Sequence, residues 1–105
     1  MKKDETIEKV FEREISKFVE ERGGMAVKLL SQFIKGLPDR MYPLPVGVVV
    51  FVEFKSAGKR PTKIQSYIHA KIQALGFLVY VVDSVESYEE VKGLIELLNN
   101  KQYGK

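Results

Sequence analysis

Five consecutive apolar residues, Val48–Val52, constrain the fold of this chain more than any other stretch of its sequence. Because no polar residue alternates with them, the run predicts a β-strand that is buried on both faces in the middle of a sheet. A turn-forming triplet, Pro45-Val46-Gly47, precedes the run, and Arg40–Leu44 lies just before that triplet. The pattern therefore predicts a β-hairpin that pairs Arg40–Leu44 with Val48–Lys55.

A helix and a short strand are predicted before this hairpin. Apolar residues recur at helical spacing between Asp4 and Arg22, with Asp4 as the expected N-cap and Gly23-Gly24 as the end of the helix. Met25–Leu30 predicts a short strand, after which the chain continues irregularly to Pro38.

A second helix is predicted after the hairpin, with Thr62 as its N-cap and Gly76 as its end. Its apolar side carries Ile64, Ile68, Ile72 and Leu75. Phe77–Val82 predicts another buried strand. The order so far alternates helices with strands, which is typical of helices that cover a small sheet.

A last helix is expected to begin at Ser84 or Ser87 and to end at Leu98, followed by a frayed tail from Asn99. The complete order, α-β-β-β-α-β-α, predicts an α/β (α+β) fold with a mixed central sheet flanked by helices. At 105 residues the chain fits a single domain, residues 1–105, that can bury a core of its own.

The lack of cysteine excludes disulfides and cysteine-containing zinc sites, which fits a reducing compartment. The N-terminus runs straight into the first helix pattern without the apolar stretch of a signal peptide. The longest apolar run is far too short to span a bilayer. We therefore expect a soluble cytoplasmic protein.

Charge is distributed unevenly along the chain. Residues 23–82 carry eight basic side chains and only two acidic ones, Asp39 and Glu53. Such a block suits a phosphate-rich partner, although a solvated basic face explains the charge alone equally well. The positions of the two acids decide between these interpretations.

If the predicted hairpin is symmetric about Val46, Asp39 lies directly opposite Glu53, and like charges in that arrangement are destabilising. Two such carboxylates commonly share a cation, and Mg²⁺ suits a pair of carboxylates. Lys55 lies two residues beyond Glu53, so its ammonium group is expected on the same face. A cation beside a lysine on a basic surface can hydrolyse a phosphodiester, but a register slip of one residue would remove the arrangement.

Two short motifs carry a family resemblance. Gly36-Leu37-Pro38-Asp39-Arg40 and, further along, Glu53-Phe54-Lys55 resemble the Pro-Asp…Glu-x-Lys signature of the PD-(D/E)xK nuclease superfamily. The pattern is similar above all to the VRR-NUC family of virus-type replication and repair nucleases. The similarity extends from about Phe11 to Ser84, and the first helix also resembles that of archaeal Holliday-junction resolvases.

The resemblance implies a restriction-endonuclease-like α-β-β-β-α-β core and a Mg²⁺- or Mn²⁺-dependent DNA endonuclease, of phage or prophage origin. It implies that Asp39, Glu53 and the backbone carbonyl of Phe54 hold the metal, with Lys55 as a catalytic residue. It also implies a further acid from the first helix. Helical geometry leaves Glu8, Glu12 and Glu14 open, and the distance to Gly23 within the resemblance favours Glu12 over the runner-up Glu8.

Gln65 has two interpretations of equal weight. Thr62 and Gln65 form the pattern of a helix capping box, whereas the matching glutamine of the family lies beside the active site. His69, in the middle of the same helix, is interpreted as a surface or packing residue without a role. Contacts to DNA are expected from basic residues near the site. They are Lys28, Arg40, Lys59, Arg60 and Lys63.

We expect an enzyme that acts on branched or Holliday-junction DNA, and the alternative is a non-catalytic nucleic-acid-binding module on a nuclease fold. Because one site cuts one strand, paired cuts in a junction predict a homodimer. Two candidate surfaces for the dimer are the apolar side of the last helix (Leu94, Leu97, Leu98) and an aromatic tip around Tyr42. The alternative is a monomer that buries those leucines on its own sheet.

Overall fold

A computed structural model describes residues 5–30 and 32–103, and its element order confirms the α-β-β-β-α-β-α prediction. The helices are α1 (Ile7–Glu21), α2 (Lys63–Ala74) and α3 (Val85–Tyr103). The strands are β1 (Val27–Lys28), β2 (Arg40–Leu44), β3 (Val48–Phe54) and β4 (Leu78–Val82). No helix within the described ranges combines the length and hydropathy needed to cross a lipid bilayer.

The four strands form one mixed sheet in the order β1-β2-β3-β4, with β3 inside it as predicted. β2 and β3 are antiparallel, joined by a 3-10 turn at Pro45–Gly47, and β4 runs parallel to β3 after the crossover through α2. Arg40 pairs with Val52 and Leu44 with Val48, which confirms the predicted symmetry about Val46.

Alternating residues of β3 face two different environments. Val50, Val52 and Phe54 are buried in the main core, against apolar residues of α1 and α3. The residues between them, Phe51 and Glu53, therefore point to the opposite face of the sheet. The core thus lies on one side of the sheet, and the predicted catalytic acid lies on the other.

Some predicted boundaries are wrong. Helix α1 begins at Ile7, where the Thr6 side chain accepts a hydrogen bond from the backbone N–H of Lys9, and the predicted cap Asp4 lies outside the described residues. β1 has two residues instead of six. α3 continues past Leu98 to Tyr103, because Asn99 is buried against the fold instead of fraying.

Two predicted surfaces differ as well. Tyr42 is fully buried and its hydroxyl is 2.9 Å from that of Ser16, since it shares the core face of β2 with Leu44. It therefore cannot form an exposed aromatic tip. On the predicted apolar side of the second helix, Ile64 and Leu75, the residue after α2, are exposed, and Ile68 and Ile72 are half-buried. The buried residue of α2 is instead His69, which faces Glu53.

Candidate active site

Asp39 and Glu53 meet where the β2–β3 ladder ends. The register of the hairpin, continued by one pair beyond Arg40 and Val52, places Asp39 opposite Glu53. The backbone N–H of Leu29 donates to the Asp39 carbonyl at 3.0 Å, and the N–H of Phe54 donates to Asp39 Oδ2 at 2.7 Å. The predicted opposition of the two carboxylates is thus confirmed, with Asp39 fixed by the backbone of the neighbouring strand.

The loop before Asp39 is held against α2 by a glycine. Gly36 has a φ of +90°, and a Cβ added there would lie 2.7 Å from the carbonyl oxygen of Ile64. Only glycine allows both this conformation and this close approach. The close contact brings the Gly36–Asp39 segment beside the start of α2, so that α2 overlies the carboxylate pair.

Glu53 is 2% exposed, and its carboxylate is held on one side by two groups. The Gln65 side chain donates through Nε2 to Oε2 at 3.1 Å, and Lys55 Nζ lies 3.5 Å from the same oxygen. The prediction that Lys55 shares a face with Glu53 is confirmed. Burial raises the pKa of Glu53 to about 7, aided by the charge of Asp39 and opposed by Lys55 and Gln65.

The second oxygen of Glu53 gives a test of whether a cation fits. Oε1 is buried and has no hydrogen-bond partner among the described residues. A buried carboxylate oxygen without a partner, opposite a second carboxylate, is stabilised by a divalent cation, and two carboxylates are the usual protein contribution to a Mg²⁺ site. Within residues 5–30 and 32–103 no three acidic, histidine or cysteine side chains converge as a metal site, so Asp39 and Glu53 form a two-carboxylate arrangement.

Gln65 satisfies both of its interpretations. Its Oε1 accepts from the backbone N–H of Thr62 at 2.9 Å, and Thr62 Oγ1 accepts from the N–H of Gln65, which completes the capping box. Its Nε2 remains available for Glu53. The capping box therefore fixes the side chain that holds the Glu53 carboxylate.

His69 is a residue of this site that the sequence interpretation missed. The residue is 7% exposed, and its Nε2 lies 3.9 Å from Glu53 Oε1. Burial lowers its pKa, as does the nearby charge of Lys55, and Asp39 opposes the shift. The available signal was its spacing, because a residue four positions after Gln65 lies on the same face of a helix.

Glu12 belongs to a different cluster. Its Oε2 accepts from Lys28 Nζ at 2.7 Å and from Arg40 Nε at 2.8 Å. Burial raises the pKa of Glu12, but the hydrogen bonds and charges of Lys28 and Arg40 outweigh this effect and lower it. Since Arg40 and Asp39 are consecutive, their side chains leave opposite faces of the sheet. The predicted metal role of Glu12 stays a prediction.

Glu8, the runner-up, accepts a hydrogen bond from Ser56 Oγ at 2.8 Å. This contact ties the first turn of α1 to the loop that follows β3. The three basic residues Lys59, Arg60 and Lys63 are exposed in that loop and at the start of α2. None of the three forms an ion pair with another described residue, so their charges face solvent beside the carboxylate pair.

Comparisons with known proteins identify the family of this chain. No family model matches the chain. A curated relative, “Putative nuclease p44” of Acyrthosiphon pisum secondary endosymbiont phage 1, is 42% identical over 82 residues, covering 78% of this chain and 84% of the relative. A solved structure described as “VRR_NUC domain” superimposes with a TM-score of 0.75 at 30% identity, covering 83% of this chain and 95% of that one. The chain therefore belongs to the VRR-NUC family of nucleases.

Proposed function

We propose that this nuclease hydrolyses phosphodiester bonds of DNA with a Mg²⁺ or Mn²⁺ ion held by Asp39 and Glu53. The observation that carries the proposal is the opposed carboxylate pair, in which the buried Oε1 of Glu53 has no hydrogen-bond partner among the residues that the structure describes. Burial raises the pKa of Glu53 to about 7, so a divalent cation must displace a proton from this carboxylate and should bind more tightly as the pH rises. The backbone carbonyl of Phe54 is the third proposed ligand.

Side chains of this chain have separate tasks in the proposed reaction. When bound, the cation polarises the phosphate and acidifies a water molecule. Lys55, fixed beside Glu53, orients that water and stabilises the charge that develops on the phosphate. Gln65 keeps the Glu53 carboxylate in place. Glu12 is proposed as the further acid, and its ion pairs also hold two basic side chains on the sheet.

The DNA backbone is proposed to bind across the basic surface beside the carboxylates. Lys59, Arg60 and Lys63 are exposed there, and Lys63 lies in the first turn of α2, where backbone N–H groups also favour phosphates. Lys28 and Arg40 are proposed as further DNA contacts on the opposite face of the sheet, where both pair with Glu12. Because a chain of this size offers little surface for reading base edges, the shape of the DNA is the proposed basis of selectivity.

Branched DNA, including Holliday junctions, is the proposed substrate. One carboxylate pair per chain cuts one strand, and a homodimer would provide the two cuts that a four-way junction needs. The resemblance of the first helix to junction resolvases supports this substrate. The similarity to a phage protein supports a phage or prophage origin.

A cleavage assay tests the proposal. Purified protein is incubated with linear, flap and four-way-junction DNAs of equal length, with Mg²⁺, with Mn²⁺ or with a chelator. We expect cleavage only with a divalent cation, and most of it on branched DNA. Asp39→Asn should remove cleavage and retain DNA binding. Binding without cleavage under every condition would instead support the non-catalytic module.

A further inference from the structure

Two buried polar atoms in the site face each other, and neither has a hydrogen-bond partner among the described residues. They are Oε1 of Glu53 and Nε2 of His69, which lie 3.9 Å apart. A polar atom that leaves water and finds no partner is unfavourable. Two such atoms side by side therefore indicate a function that keeps them there.

Helix α2 places this histidine one turn after the glutamine that already holds Glu53. Gln65 contacts Oε2 and His69 faces Oε1, so two side chains on one face of α2 lie next to the two oxygens of a single carboxylate. The capping box at Thr62 fixes the start of α2, and with it the direction of both side chains. Gln65 thus forms a hydrogen bond to one oxygen of the carboxylate, whereas His69 lies near the other oxygen without forming one.

Simpler roles for His69 fit less well. A histidine that serves only in packing satisfies its ring nitrogens elsewhere, but Nε2 has no partner other than Glu53 within reach among the described residues. A role as a third metal ligand is not supported either, because His69, Asp39 and Glu53 do not converge as a ligand set. The imidazole ring of His69 therefore faces the Glu53 carboxylate and not a separate metal position.

We propose that His69 is a positioning residue that donates a hydrogen bond from Nε2–H to one lone pair of Glu53 Oε1 and so orients the other lone pair of this oxygen toward the cation. The inference rests on the proposed metal-dependent function. The proposed bond requires the 3.9 Å between the two atoms to shorten by rotation about the terminal side-chain torsions, which have broad energy minima. Hydrogen bonds from such outer groups orient the ligands of metal sites and raise metal affinity.

Calorimetric titration with Mn²⁺ at constant pH tests the proposal without DNA and without turnover. We expect His69→Leu to weaken Mn²⁺ binding about tenfold or more, as the loss of outer hydrogen bonds does at other metal sites. His69→Gln places an amide N–H near the position of Nε2, so it should retain most of the affinity. Gln73→Leu, an exposed residue one turn further along α2, is the matched control and should bind like the wild type.

Each outcome separates the inference from the proposed function. If the wild type binds no divalent cation, the proposed metal dependence is wrong and the inference with it. If the wild type binds Mn²⁺ and His69→Leu binds equally well, only the inference is overturned. If His69→Leu fails to fold, His69→Gln is compared with His69→Asn, whose amide lies near Nδ1. Equal Mn²⁺ affinity of those two variants would overturn the inference.

Discussion

At the scale of single residues, Glu53 occupies a position where its charge is unfavourable without a bound cation. It is almost fully buried, it lies opposite Asp39, and only one of its oxygens is hydrogen-bonded by described residues. These conditions raise its pKa to about 7 from an ordinary 4.5. An ionised carboxylate at this buried position lowers the free energy of unfolding of the cation-free protein, so Glu53 is not there for stability.

Replacing Glu53 with glutamine is expected to stabilise the cation-free protein while removing cleavage. Because the folded state holds the Glu53 proton more tightly than the unfolded state, its contribution to stability is complete below about pH 4.5 and is lost as the pH rises through about 7. Above that range Glu53→Gln should raise the free energy of unfolding by on the order of 2 kcal/mol. Urea denaturation with a chelator, between pH 4.5 and pH 8, measures the difference.

The exposed acid Glu89 offers the matched control for this experiment. Glu89→Gln should leave the free energy of unfolding close to that of the wild type, since the Glu89 side chain is exposed. A difference between the wild type and Glu53→Gln that stays constant over the whole pH range would contradict the assigned environment of Glu53. Cleavage by Glu53→Gln at the wild-type rate would contradict its place in the active site.

Lys55→Ala is expected to remove cleavage and to leave cation binding largely intact. The Lys55 ammonium lies 3.5 Å from Glu53 Oε2, where it can donate hydrogen bonds to a water molecule and to the phosphate. It is not expected to bind the cation, because the ligands of a Mg²⁺ or Mn²⁺ ion are oxygens. Calorimetric titration of Mn²⁺ into the variant, together with a cleavage assay, separates the two effects. Loss of cation binding along with activity would make Lys55 a structural residue.

At the scale of secondary-structure elements, the hairpin was predictable and the orientation of α2 was not. The turn at Pro45–Gly47 and the apolar run after it define the bounds of β2 and the register that places Asp39 opposite Glu53. The spacing of apolar residues predicted the buried side of α2 only in part, since Ile68 and Ile72 are half-buried whereas Ile64 is exposed. Burial there depends on where the helix meets β4 and Glu53. For the same reason the sequence interpretation missed His69.

In helix α1, too, the buried apolar residues were predictable from the local sequence, whereas the burial of Glu12 depends on contacts with distant strands. Its apolar residues Phe11, Ile15 and Val19 enter the core as the helical spacing predicts. Glu12 is buried beside them only because Lys28 on β1 and Arg40 on β2 reach it with their positive charges. No local pattern shows these partners, which come from strands brought together by the sheet.

Glu12→Gln is therefore expected to lower the free energy of unfolding by about 2 kcal/mol, the usual effect of losing hydrogen bonds between charged groups. Denaturation by urea at pH 7 measures the loss, and Glu20→Gln, an exposed acid on the same helix, is the control. A stability equal to that of the wild type would contradict the importance of the cluster. Weaker Mn²⁺ binding by Glu12→Gln would confirm the metal role that the family resemblance implies.

At the scale of the whole molecule, the sheet is covered unequally. α1 and α3 pack together over the core face, whereas α2 covers β4 and the carboxylate pair on the other. Several large apolar side chains remain exposed, among them Leu97 on α3 at 57% and Leu75 on α2 at 77%. Of the predicted dimer surface on α3, Leu97 is exposed, whereas Leu98 packs partly against the core of its own chain, and the predicted surface at Tyr42 is buried.

The assembly prediction follows from this distribution. We expect a homodimer in which α3 contributes Leu97 and the half-buried Leu94 and Leu98, because a two-fold interface can bury the same apolar stripe on both chains. Leu97→Lys should place a charge at the centre of that interface and convert the dimer to a monomer. Light scattering coupled to size exclusion, at micromolar concentration, measures the mass of each variant.

Leu75→Lys is the matched control, because it introduces the same charge at another exposed leucine, at the C-terminal end of α2. It should leave the dimer intact. A wild-type mass of one chain would exclude the dimer. If Leu75→Lys dissociates the dimer and Leu97→Lys does not, the interface lies at the end of α2 instead of on α3.

If the dimer is found, heterodimers of wild type with Glu53→Gln should nick one strand of a four-way junction, since each chain supplies one carboxylate pair. Paired cuts by such heterodimers would contradict one active site per strand.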